Sequence, residues 1–111
     1  MKLAIIGSRH LTIENLEAYV PKGVTQIVSG GARGIDRAAA EYAVKQDIPL
    51  KEFLPDYARY GRGAPLKRNA QIAQYADAVL AFWDGKSRGT KYTLSLFEKL
   101  GKKATVISLG E

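Results

Sequence analysis

The chain has no cysteine, one histidine (His10), one tryptophan (Trp83) and no apolar run near the roughly 20 residues a membrane-spanning helix needs. The missing cysteines exclude a disulfide framework and a thiolate metal site, and a single histidine excludes a histidine-rich one. No metal site and no cofactor are therefore expected. The start, MKLAIIGSRH, holds an apolar stretch too short for a signal peptide and lacks a small-residue cleavage site. Together these absences lead to the expectation of a cytoplasmic protein with no membrane partner.

What is present is ordinary for a folded domain. The 111 residues are 46% hydrophobic and 25% charged, enough for one core and too few for a second, so a single domain over residues 1–111 is expected. The net charge of +6 admits nucleic acid, phosphorylated small molecules or mere solubility, and the placement of the charges has to decide among them.

Apolar runs alternate with amphipathic stretches along the whole chain. KLAIIGS, VTQIVSG, IPLKEFLP, DAVLAFWD and KATVISL read as five strands. Helices are expected in TIENLEAYV, with Thr12 as N-cap and Ile13, Leu16, Tyr19 and Val20 on one face, and from Ile35 to Gln46. Two more are expected from Pro65 to Tyr75 and over RGTKYTLSLFEKLG, the last stopped by Gly101. Strict alternation predicts an α/β fold, a Rossmann-like doubly wound parallel sheet of about five strands with helices on both faces. A homo-oligomer is also expected, through an apolar face containing Leu94, Leu96 and Phe97 beside the fifth strand.

In such sheets ligands bind beyond the carboxyl ends of the strands. All seven arginines, Arg9, Arg33, Arg37, Arg59, Arg62, Arg68 and Arg88, fall in or just after the loops at that edge, with Lys67, Lys86 and Lys91. The other lysines fall towards the opposite edge. Arginine's planar fork suits phosphate and carboxylate, so the sorting points to an anion. Cations at a helix start oppose the macrodipole by about 0.3–1 kcal/mol each unless a bound anion reverses the sign.

Three strand-to-helix turns could hold that anion. Gly7, Ser8 and Arg9 form the shortest. SGGARGID offers Gly30, Gly31 and Gly34 with Arg33, and Asp36 as a helix cap or a ribose contact. FWDGKSRGT offers Gly89 with the hydroxyls of Ser87 and Thr90, which serve equally as ordinary caps. Neither matches a P-loop or a dinucleotide fingerprint. Arg68 and Asn69 open the third long helix, and Tyr57, Tyr60 and Trp83 lie close enough to this edge to stack on a base, Trp83 serving equally as core. For catalysis the inventory is thin: His10 completes no evident Ser-His-Asp set, and Asp36, Asp56 and Asp84 form no evident pair.

GSR near the start, SGGARGIDRAAAEYA, RNAQIAQYADAVLAFWD and SRGTKYT, in that order, resemble the SLOG superfamily, the Rossmann-like group named for Smf/DprA and LONELY GUY proteins. The likeness is strongest to its small stand-alone DUF2493 (YspA-like) members and spans nearly the whole chain. It implies a nucleotide or nucleotide-derived ligand held by Gly7, Ser8, Arg9, Gly30, Gly31, Arg33, Gly34, Asp36, Arg68, Asn69, Ser87, Gly89 and Thr90. DprA-like binding of single-stranded nucleic acid along the same basic edge is the alternative. A nucleotide hydrolase acting on an N-glycosidic or phosphate bond, with Asp36 or Asp84 as the acid-base group, is the third reading, ranked below binding. Thr93 stands where LONELY GUY enzymes carry a catalytic glutamate, and a hydroxyl cannot stabilise an oxocarbenium-like charge as a carboxylate does.

Overall fold

A computed structural model describes residues 1–109. Five strands, β1 (Lys2–Gly7), β2 (Gln26–Ser29), β3 (Leu50–Glu52), β4 (Ala78–Trp83) and β5 (Lys103–Ser108), form one sheet in the order β3-β2-β1-β4-β5. Every neighbouring pair is parallel. Three helices of three turns or so, α1 (Ile35–Lys45), α3 (Ala64–Tyr75) and α4 (Arg88–Lys99), complete the Rossmann-like α/β fold with the single-turn α2 (Tyr57–Tyr60). No helix among the described residues is long and apolar enough to cross a membrane.

The central strands carry apolar residues on both faces because both are covered. Leu3 and Ile5 of β1, with Leu80 and Phe82 of β4, pack on Ile35, Ala39 and Ala43 of α1. Ala4, Ile6, Val79 and Ala81 face the other way, onto Ile72 and Ala73 of α3 and Phe97 of α4. Alanines on α1 and on the strands let helix and sheet approach closely.

Two expectations need correction. The segment expected to form the first helix holds only a 3-10 turn at Leu16–Ala18. Its nine residues, bounded by Pro21 and carrying Asn15 and the β-branched Thr12 and Ile13, are too few and too weak to sustain a helix. Its apolar residues reach the core as a loop: Leu11 and Leu16 are buried, and Tyr19 meets Phe82 edge-on at 5.3 Å. Thr12 is exposed and caps no helix there. The second correction concerns the expected apolar face. Phe97 is fully buried and Leu94 and Leu96 are partly buried against the core, so that side of α4 is largely covered within the molecule. The exposed apolar edge is β5 instead, where Val106 is 44% exposed.

Candidate functional site

At the carboxyl ends of β1 and β4 the chain diverges, β1 into the Ser8–Leu11 turn and β4 into the loop before α4. Between them, walled by the start of α1 and the first turns of α3, lies a cleft of about 470 Å³. That volume is within the range small-molecule sites occupy. Ten of the thirteen residues expected at a site line it: Gly7, Ser8, Arg9, Gly30, Asp36, Arg68, Asn69, Ser87, Gly89 and Thr90. Gly31 and Arg33 line a shallower groove next door, with Tyr57.

Gly34 lies outside both. It holds a positive φ of +69°, and a side chain there would strike the carbonyls of Arg9 and Leu11. Its role is to let α1 dock against the Ser8–Leu11 turn. Gly30 is likewise a space-maker: a Cβ would run into the Arg68 guanidinium and the Asp36 carboxylate.

Arg68 is buried and largely committed to the protein. Its Nη1 donates to the carbonyls of Gly30 and Phe53, and its Nε donates to Asn69 Oδ1 at 2.7 Å. It ties the ends of β2 and β3 to α3 across 38 residues of sequence. Burial pulls its pKa down and the Asp36 carboxylate opposes that fall. Asp36 is buried too, and desolvation pushes its pKa above the usual carboxylate value. The Ala32 N–H, donating to Oδ2 at 3.2 Å, and the charges of Arg68 and Arg9 work in the opposite direction.

On the other wall the first turn of α4 is bare. Ser87 occupies the N-cap position but makes no capping hydrogen bond, and its hydroxyl turns to Thr90 Oγ1 at 3.4 Å. A helix start without a cap leaves N–H donors and a partial positive charge directed at whatever occupies the space beyond it. Ser8 faces the same space. Its residue is 3% exposed and its Oγ has no hydrogen-bond partner. The hydroxyl lies near the Asp84 carboxylate but does not reach hydrogen-bond geometry with it, and among the described residues it is unpartnered. Among the described residues Arg9 and Lys86, on the rim, form no ion pair.

The cleft is also lined by Lys86, expected at this edge, and by His10 and Asp84, whose pairing was not anticipated from sequence. His10 Nε2 lies 3.1 Å from Asp84 Oδ2, although the two are far apart in the chain. Asp84 Oδ1 accepts the Lys86 and Ser87 N–H groups at 2.8 Å each, and these two bonds are the chief reason its pKa is held below the ordinary value. An aspartate directly before a glycine, as at Asp84 and Gly85, is a recognisable signal for this loop closure; nothing local announces the histidine. Thr93 reaches the cleft wall with its hydroxyl donated to Gly89 O at 2.8 Å.

The remaining candidates go elsewhere. Arg37 pairs loosely with Glu41 at 3.7 Å along α1. Arg59 and Lys67 lie over the Tyr60 ring, and Asp56 caps α2 by accepting the Arg59 N–H. Trp83 donates its indole N–H to Ser87 O at 3.0 Å, bracing the loop before α4. Comparison with protein-family models, with curated proteins and with solved structures gave no match. The site therefore stands on its own geometry.

Proposed function

We propose that the cleft binds the phosphate end of a nucleotide or nucleotide-derived small molecule. One observation carries this reading: the buried Ser8 hydroxyl, left without a partner, faces the same cleft as an uncapped helix start. An unmade hydrogen bond at a buried polar group costs about 1–3 kcal/mol, and a bound oxyanion would recover it. Arg9 and Lys86 supply the compensating charge, and α4 supplies oriented N–H donors. Asp36, as an acceptor on the opposite wall, suits a sugar hydroxyl. The resemblance of the GSR, SGGARGID, RN and SRGT stretches to the SLOG superfamily favours the same ligand class.

Thermal unfolding against nucleoside mono-, di- and triphosphates and inorganic phosphate tests it. A ligand at a hundred times its dissociation constant adds about 2.7 kcal/mol, a rise of roughly 10 °C or more in a domain this size. The shift is expected with the wild type and expected to shrink in Arg9→Ala. No shift with any phosphate-bearing ligand removes the assignment.

The groove holding Arg9, Arg33 and Tyr57 favours a second reading, single-stranded nucleic acid running along this edge, because Tyr57 is 56% exposed beside the arginines. Oligonucleotides would then outcompete mononucleotides, with an affinity that falls steeply as salt rises.

A further inference from the structure

We propose that the cleft also hydrolyses the terminal phosphoryl group of the nucleotide it holds, with His10 as the base that activates the attacking water. This rests on the binding reading above.

The evidence is the arrangement around Asp84. Two backbone N–H groups fix one carboxylate oxygen, and the other is 3.1 Å from His10 Nε2. The carboxylate side chain is only 12% exposed while the imidazole is 69% exposed. A covered, pinned carboxylate thus meets, at Nε2, an exposed imidazole that lines the cleft. For stability this pair is superfluous, since Asp84 is already satisfied by the loop and an ion pair with an exposed imidazole adds little. For chemistry it is the arrangement that sets a histidine's tautomer and leaves the far nitrogen free to take a proton. The charged groups sharing the cleft with His10 are Arg9 on its own turn, Asp84 and Lys86 before α4, Asp36 on α1 and Arg68 on α3.

In the step, a water oxygen forms a bond to phosphorus as its proton passes to His10 Nδ1. The bond from phosphorus to the bridging oxygen breaks, and that oxygen leaves with the electron pair and takes a proton from solvent. The imidazolium then returns its proton to solvent, so nucleotide and water give the shortened nucleotide and inorganic phosphate. Arg9, Lys86, the Ser8 hydroxyl and the bare N–H groups of α4 are placed to stabilise the charge on the transferring oxygens, which is most of the work in phosphoryl transfer. Asp84 acts through His10 as a positioning residue.

The experiment measures phosphate release from nucleoside mono-, di- and triphosphates by the full chain, with magnesium and with chelator, beside calorimetric binding of the same nucleotides. Expected are phosphate release by the wild type and a loss of about a hundredfold or more in His10→Gln, with affinity changed less than about threefold. Asp84→Asn, which keeps the side chain's shape and removes its charge, should lower kcat for phosphate release about tenfold or more while KM changes less than about threefold. Binding without phosphate release from any nucleotide, or equal release by wild type and His10→Gln, overturns the hydrolysis and leaves the binding reading standing. Absence of binding overturns both.

Discussion

The two edges of the sheet treat polar groups in opposite ways. At the amino edge they are paired off. The Lys102 ammonium donates to the carbonyls of Ala73, Gln74 and Ala76, closing the carboxyl end of α3. Asp77 accepts the Lys2 N–H at 2.7 Å, Lys2 Nζ sits over the Tyr75 ring, and the terminal amine bonds Gly23 O. At the carboxyl edge, among the described residues, a buried hydroxyl is unpartnered, a helix start is uncapped, and two cations on the rim form no ion pair. Sequence alone sorts every arginine to one edge and most of the lysines to the other; the structure adds that the edge rich in lysine contains a satisfied helix cap. A fold that could satisfy one end and leaves the other unfulfilled has placed its unmet bonds where a ligand can meet them.

Arg68 is the exception within the carboxyl edge, and its removal should give the largest effect. Arg68→Ala leaves the Gly30 and Phe53 carbonyls without their donor and opens space beside a buried carboxylate. A loss of roughly 3 kcal/mol is expected, read as a drop of about 10 °C or more in Tm. A Tm within a degree or two of wild type would return Arg68 to the ligand. Lys102→Met comes next at about 1–2 kcal/mol, from three helix-terminal carbonyls losing a charged donor. It should leave nucleotide binding unchanged, and a parallel loss of affinity would show that the edges are not independent.

The difference between Arg68 and Ser8 also shows what a sequence can disclose. Strand order, helix faces and the edge at which the loops converge follow from periodicity and glycine placement, and they locate the cleft. They say nothing about whether a given polar atom has been satisfied, because that depends on contacts such as Arg68 with Gly30, 38 residues away. Hence an arginine read as a phosphate ligand also ties the ends of β2 and β3 to α3, and one glycine of the turn read as a cradle, Gly30, makes room for it. His10 was legible only as an isolated histidine; its meeting with Asp84 requires β1 and β4 to be neighbours. The missing first helix has a different cause. Helical spacing in TIENLEAYV reflects a real apolar face, since Leu16 is buried, Ile13 and Val20 are partly buried and Tyr19 packs on Phe82. The core can be met by a loop as well as by a helix, and periodicity does not distinguish the two.

Ser8→Ala sharpens the contrast further, since it should move function without moving stability. The hydroxyl has no partner to lose, so unfolding should stay within about 0.5 kcal/mol of wild type or become slightly harder. Nucleotide affinity should fall about tenfold, the 1.4 kcal/mol of one hydrogen bond to an anion. A destabilised protein with unchanged affinity would assign Ser8 to the fold.

The smallest effect expected is one of pH. Asp84 and Asp77, one at each edge, both have pKa values held below the ordinary 3.8, Asp84 by the Lys86 and Ser87 N–H groups and Asp77 by the Lys2 N–H. A depressed carboxylate contributes stability that is present above its unfolded pKa and lost as pH falls through the folded one. Asp36 has the opposite sign. Its pKa is raised by burial, so its contribution is fully present below the unfolded value and is lost as pH rises through the folded one. In thermal unfolding followed from about pH 5 down to pH 2, Asp84→Asn and Asp77→Asn should each flatten the acid limb. Bound nucleotide separates them: a phosphate beside Asp84 opposes its negative charge, while Asp77 lies at the far edge. Saturating nucleotide should therefore alter the acid limb in Asp77→Asn, where Asp84 remains, more than in Asp84→Asn, and equal responses would mean that the ligand lies away from the loop before α4.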